Sequence, residues 1–213
     1  MSFDAVAAWY RTLETLAFGH ALQRARIAFL DEIGAPRRGL IVGEGNGRFL
    51  AALLQRQPLL RIDCVDQSER MLDLARRYIL ETNPDEIRRV AFLQHDIVSW
   101  TPNDRYDLIV THFLLDCFTI QKVGLIVAKL AQAATPNARW LLADFRIPEG
   151  GFARRHAQVW LAVMYSFFRS VARIEARDLV DPSPFVRAEG FALERQHLFR
   201  QGMLKSELWR KNP

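Results

Sequence analysis

The sequence predicts an α/β protein with a seven-stranded, mostly parallel sheet, helices on both faces and an antiparallel hairpin at the C-terminal end. Three observations predict it. Short apolar runs alternate with longer helical stretches between residues 39 and 145, as expected for strands buried on both faces and joined by crossover helices. The first apolar run, Leu40-Ile41-Val42, ends in glycine at every second position: Gly43, Gly45 and Gly47. After Gly190 the helical rhythm is replaced by two strand-like stretches around Gln201-Gly202, which read as a hairpin.

The elements follow in order. Helical periodicity over residues 4–33, broken near Gly19, predicts two helices that make an N-terminal cap over residues 1–35. Parallel strands are predicted at Gly39–Gly43, Arg61–Asp66, Val90–Gln94, Tyr106–His112 and Arg139–Phe145, with helices near 47–57, 68–82 and 121–134. An insert over 146–189 holds a long helix at about 151–175 and a loop with Pro182 and Pro184. The hairpin strands are Phe191–Phe199 and Met203–Arg210. No repeat or low-complexity tract interrupts the 213 residues, which suit a single domain over 1–213.

The net charge of +5 raises nucleic acid or anionic lipid as partners. The arginines, however, are scattered in ones and twos, as in Arg37-Arg38, Arg76-Arg77, Arg88-Arg89 and Arg154-Arg155, which reads as a solvated surface. No apolar run approaches the ~20 residues that span a bilayer. Met1-Ser2-Phe3-Asp4 does not open a secretory signal, and Cys64 and Cys117 form neither a disulfide framework nor a metal-ligand spacing. A reducing, cytoplasmic setting without a metal is expected. The sequence carries no sign of oligomeric state.

Ligands of open α/β sheets bind outside the carboxyl ends of the strands. At the first end, glycines let the backbone turn sharply and a ligand approach closely. A dinucleotide fingerprint would need its third glycine at position 48, where Arg48 stands. The second end is Asp66, in Ile62-Asp63-Cys64-Val65-Asp66-Gln67-Ser68, placed to accept hydrogen bonds from ribose hydroxyls. Asp96-Ile97 follows the third strand, and Thr111-His112-Phe113 closes the fourth.

In this order and spacing, the strand ends resemble the motifs of class I S-adenosylmethionine (SAM)-dependent methyltransferases. Gly43-x-Gly45-x-Gly47 resembles motif I, and Val65-Asp66-Gln67-Ser68-x-x-Met71-Leu72 resembles motif II. The resemblance covers about residues 36–146 and implies a Rossmann-like fold, an N-terminal helical lid and SAM as cofactor. It implies that Gly43, Glu44, Gly45, Asn46 and Gly47 hold the amino-acid portion of SAM, with backbone N–H groups toward its carboxylate. Asp66, with Gln67, Ser68 and Met71, would hold the ribose; Asp96 would accept from the adenine amino group, with Ile97 beside the ring. Thr111, His112 and Phe113 would lie beneath the methionine portion and its methyl. In the lid, Tyr10 would face the cofactor and Trp9 and Phe18 the acceptor, as aromatic faces that favour a cation. One departure stands out. The family often carries an acidic residue two positions before the first glycine, and Ile41 occupies that place; Glu44 either supplies the charge or faces solvent.

Methyl transfer from a sulfonium is an in-line displacement, in which a protein chiefly aligns the reactants and excludes water. A base is needed only for an acceptor that arrives protonated. His112 is the candidate base. Asp116 is placed to orient it if residues 113–118 are helical. Asp144 and Arg146, closing the fifth strand, point to the same crevice and could hold an acceptor; Cys117 reads as structural. On the late helix, Trp160, Met164 and Phe168 form a stripe with Val163, Phe167 and Val171, which is either core or the wall of an apolar acceptor pocket.

Absent motifs narrow the class. Thr111-His112-Phe113-Leu114 is not the Asn/Asp-Pro-Pro-aromatic motif of nucleobase amino methylation, Cys117 does not follow a proline as in cytosine C5 enzymes, and Asp144-Phe145 lacks the acidic-amide pair of metal-dependent O-methyltransferases. The basic balance disfavours an aminopropyltransferase. The expectation is a metal-free methyltransferase of a small, partly apolar metabolite. An RNA or protein methyltransferase and a non-catalytic SAM-binding protein are the alternatives.

Overall fold

The computed structural model describes residues 20–148 and 179–213, with Gly150, Gly151 and Arg154 between them. Seven strands form one sheet: β1 (Arg38–Val42), β2 (Arg61–Asp66), β3 (Val90–Gln94), β4 (Tyr106–His112), β5 (Ala134–Phe145), β6 (Phe191–Phe199) and β7 (Leu204–Lys211). Their order is β3-β2-β1-β4-β5-β7-β6. Strands β1 to β5 pair in parallel, and β7 runs antiparallel to both β5 and β6, the predicted C-terminal hairpin.

Alternation along each strand splits the apolar residues into two layers. One, with Ile109, Trp140, Leu142 and Trp209, packs against α4 (Ile120–Ala133) and α5 (Ser183–Ala188). The other, with Ile41, Val110, Leu141 and Leu208, is covered by α2 (Arg48–Arg56), α3 (Glu69–Thr82) and the segment that follows α1 (Ala21–Ile27). The Ser206 hydroxyl donates to the Ala25 carbonyl at 2.7 Å and ties α1 to β7.

The boundaries differ from expectation in one informative place. Pro136-Asn137 reads as a turn, so a strand is expected only from Arg139. Instead Ala134 already pairs with Tyr106, and the strand absorbs the turn residues as a register irregularity with Asn137 at φ 61°. Of the predicted N-terminal cap, only the part from residue 20 lies among the described residues. The long helix predicted at 151–175 lies outside them except for Gly151 and Arg154.

Register brings the strand ends together. Val42 is level with Val65 and Thr111, Asp66 with Gln94, and His112 with Ala143. The carboxyl ends of β1 to β5 therefore share one edge of the sheet.

Candidate functional site

A cleft lies at that edge, the place where ligands of open α/β sheets bind. Of the sequence-predicted residues, Gly43, Gly45, Asp66, Gln67, Met71, Asp96, Ile97 and Phe113 line it. Val42, Val65, His95, Leu114, Cys117 and Phe118 also line it and were not singled out as ligand contacts in the sequence. Val42 and Val65 lie in the last two positions of β1 and β2, His95 follows β3 directly, and Leu114, Cys117 and Phe118 fall in the turn after β4.

All three loop glycines have left-handed backbone, with φ of 72°, 81° and 84°. A Cβ on Gly43 would come within 2.9 Å of the Leu114 side chain in the cleft wall. A Cβ on Gly47 would meet the Ala75 backbone at 2.9 Å, so this glycine serves the packing of α2 on α3. Glu44 does not face solvent. It is buried, and its Oε1 accepts the Leu50 N–H at 3.0 Å, satisfying an orphan donor of the first turn of α2. Asn46 Oδ1 accepts the Arg48 N–H at 3.4 Å.

Asp66 is held at the end of β2 by the Ser68 N–H, which donates to its Oδ1 at 2.9 Å. The Ser68 hydroxyl accepts the Met71 N–H at 3.2 Å, so Ser68 is the buried N-cap of α3. Asp96 Oδ1 accepts the Val98 N–H at 3.0 Å, which sets the turn after β3. The backbone N–H of His95 donates to the Asp66 carbonyl at 3.0 Å and links these two strand ends. The His95 ring stacks on Trp100, with centroids 5.4 Å apart.

The fourth strand end divides its side chains between the two faces of the sheet. The Thr111 hydroxyl accepts the Trp140 indole N–H at 2.9 Å on the α4 face, outside the cleft lining. The His112 ring sits edge-on to Phe49, centroids 4.5 Å apart, on the α2 face. Burial, with the charge of Arg26, lowers its pKa well below the ordinary imidazole value. Phe113 has φ 52°, which breaks helical continuity, and only a single 3-10 turn, Leu115–Cys117, follows. The condition for Asp116 to orient His112 through helical spacing is therefore not met.

Asp116 instead neighbours Asp144. Both are buried. Burial and the neighbouring Asp116 push the Asp144 carboxyl well above the usual carboxylate range, against the pull of the Phe145 N–H and Lys205. The Cys117 thiol donates to Asp116 Oδ1 at 3.7 Å and is itself pushed up by burial and by both acids. Expected to be structural, Cys117 faces the cleft.

The Phe113 ring lies 5.1 Å from Phe145, and the Arg26 guanidinium lies 5.2 Å over Phe113. Phe145 and Arg146 line a second cavity. Its floor holds Lys205, bound to Asp181 at 2.6 Å and Glu207 at 3.3 Å. The predicted contacts Trp9, Tyr10, Phe18, Trp160, Met164 and Phe168 lie outside the described residues. Among the described residues no group of three or more His, Cys, Asp or Glu side chains is arranged to hold a metal.

Residues 40–140 match the family described as methyltransferase domain. Over 102 residues the chain is 35% identical to trans-aconitate 2-methyltransferase of Streptomyces coelicolor, a match covering 45% of this chain and 33% of that protein. The chain thus spans about a third of the length of that curated relative. An O-methyltransferase family protein from Burkholderia thailandensis superimposes with TM-score 0.71 at 17% identity, over 99% of this chain and 63% of that one. The 1,6-didemethyltoxoflavin-N1-methyltransferase of the same organism, solved with 1,6-didemethyltoxoflavin and S-adenosylhomocysteine, gives 0.69 at 17% identity over 99% and 86% of the two chains. By its strand order and the match over residues 40–140, this chain is similar to methyltransferases and shares the fold of the solved ones.

Proposed function

We propose that this protein transfers the methyl group of SAM to a small, partly apolar metabolite in a cytoplasmic setting. The observation that carries this reading is the convergence of four strand ends on one cleft: Gly43 and Gly45, Asp66, Asp96 with Ile97, and Phe113. Gly43 and Gly45 leave room for the amino-acid end, Asp66 accepts from the ribose, and Asp96 with Ile97 takes the adenine. When bound, SAM supplies an activated methyl group. Phe113, Leu114 and Phe118 give the methyl end an apolar wall that excludes water. The groups able to handle a proton stand where β4 and β5 end, His112 against Phe49 on the α2 face and Asp144 with its neighbour Asp116 apart from it.

On this reading the lid aromatics Trp9, Tyr10 and Phe18 and the stripe Trp160, Met164 and Phe168 complete the enclosure, with Arg146 at the acceptor side. A small-molecule acceptor agrees with a structural neighbour solved with a small ring compound. No helix among the described residues is long and apolar enough to cross a membrane.

The test is calorimetric titration with SAM, followed by a panel of small acceptors with S-adenosylhomocysteine as readout. Binding of SAM and turnover with a panel member are expected. Failure to bind SAM would overturn the reading, and binding without turnover across RNA, protein and small-molecule acceptors would reduce the protein to a SAM-binding module.

A further inference from the structure

After β3 the chain turns through Asp96–Trp100, and the Asp96 carbonyl accepts both the Ser99 N–H at 3.1 Å and the Trp100 N–H at 2.7 Å. Carbonyls in such a turn need donors from elsewhere in the fold. One ammonium, that of Lys129 on α4, supplies three of them. Its Nζ donates to the carbonyls of Ile97 at 3.5 Å, of Val98, and of Trp100 at 3.1 Å. Three donors set around a compact ammonium suit three converging carbonyls, whereas a guanidinium spreads its donors in one plane. Lys129 is half-buried. It follows the core positions Ile126 and Val127 and precedes Leu130, at the margin of the layer against which Ile97, Val98 and Trp100 pack.

Each clamped residue supports the cleft. The Val98 N–H donates to Asp96 Oδ1 at 3.0 Å, while the Val98 carbonyl is held by Lys129. The Trp100 indole stacks on the His95 ring, while the Trp100 carbonyl is held by the same ammonium. Ile97, the third, lines the cleft itself, as do His95 and Asp96. Lys129 is not part of that lining, so it acts on a ligand only through the loop.

We propose that Lys129 is a positioning residue for base recognition: by fixing the carbonyls of Ile97, Val98 and Trp100 it holds Asp96 in the one arrangement that accepts a 6-amino purine and rejects a 6-oxo purine. This rests on the SAM reading of the cleft. A 6-amino group donates to the Asp96 carboxylate. A 6-oxo group is an acceptor and repels it, and the donor on that edge of the base then lies one atom away, at N1. A carboxylate free to swing follows the donor to N1. One tethered to a Val98 peptide that is itself clamped does not. Releasing the clamp therefore weakens binding of the correct base and improves binding of the wrong one, a pattern that loss of stability alone does not produce.

The experiment measures Kd for S-adenosylhomocysteine and for S-inosylhomocysteine, its 6-oxo counterpart, by calorimetry on the full chain. Sugar and amino-acid contacts are common to both ligands and cancel in the ratio of the two constants. The wild type should prefer the adenine ligand by roughly tenfold or more, as for one hydrogen bond to a charged group. Lys129→Met keeps the stem and removes the three donors, and the preference should fall toward unity, by roughly fivefold or more. Lys211→Met is the control. Lys211 donates to the carbonyls of Ala131 at 2.6 Å and Ala134 at 3.1 Å, where α4 passes into β5, rather than to the loop. Its loss should lower Tm and leave the preference unchanged.

A wild-type preference retained in folded Lys129→Met overturns the proposal. So does an equal loss in Lys211→Met, which would make the effect one of stability. If Lys129→Met does not fold, Lys129→Arg decides, since it keeps the charge with planar donors: a reduced preference supports the proposal and an unchanged one overturns it. A wild type that binds both ligands equally overturns the proposal and leaves the SAM reading standing. If the wild type binds neither, the SAM reading fails and the proposal with it.

Discussion

The Glu44 carboxylate reaches over its own loop to accept the Leu50 N–H at 3.0 Å. The Glu44 charge is thus anchored on the first turn of α2, where an anion also meets the positive end of the helix. Glu44→Ala should destabilise the fold by about 1–2 kcal/mol, the usual cost of losing an N-terminal cap, and Glu44→Gln by less. Urea denaturation of both variants checks this; equal stability of Glu44→Ala and wild type would show that the contact contributes nothing.

Gly47 and Gly43 should respond differently to a methyl group. Alanine at either position is strained by the left-handed backbone, with φ of 84° and 72°. At Gly47 the new Cβ meets Ala75 backbone at 2.9 Å, whereas at Gly43 it meets the end of the Leu114 side chain, which can rotate. Gly47→Ala should therefore lower Tm more than Gly43→Ala. Gly43→Ala should instead weaken SAM binding, because Leu114 has to move within the cleft wall.

Asp66→Ala should weaken SAM binding by about 1.5–3 kcal/mol, the range for hydrogen bonds to a charged group. Calorimetry on the folded variant is the measurement. Wild-type affinity would remove the ribose from the Asp66 carboxylate.

His112 should give stability a slope near neutral pH. Burial, helped by Arg26, holds its folded pKa well below the unfolded value of about 6.5. The unfolded chain binds this proton first as pH falls, so the stability contributed is complete above about pH 6.5 and is lost as pH falls toward the folded value. His112→Gln should flatten the slope between pH 7 and 5 in denaturation experiments.

Asp181 should shape the acid limb. Burial works to raise its carboxyl, but the hydrogen bond and charge of Lys205, with the N–H and hydroxyl of Ser183, prevail and hold it below the ordinary carboxylate value. Its contribution is present above about pH 3.9 and lost as pH falls through the lower folded value. Lys205→Met should shift acid unfolding to higher pH, an effect moderated by solvent because Asp181 is 63% exposed.

Much of the fold was legible because it depends on local pattern. The strand cores match, since an apolar run bounded by turns needs no partner to be recognised. The start of β5 was not, because Pro136-Asn137 signals a turn that register against Tyr106 overrides. The site divides the same way. Asp66, Asp96 and the glycine loop were legible from their places after strands. The Asp116–Asp144 contact was not, because it depends on the pairing of β4 with β5 and on the left-handed backbone of Phe113. Thr111 and His112 were assigned together, yet adjacent residues on a strand point to opposite faces, so no single cleft takes both side chains.

The glycine loop reads as one motif and works as two separate constraints. Gly43 is small because the Leu114 wall of the cleft stands beside it; Gly47 is small because another helix lies against it. A chain with a different α3 could lose the last glycine and still form the cleft, while one that kept the helices and changed its cofactor could lose the first. The spacing from Gly43 to Gly47 therefore records the distance between a ligand and a neighbouring helix. A match to it testifies to the architecture as much as to the molecule bound.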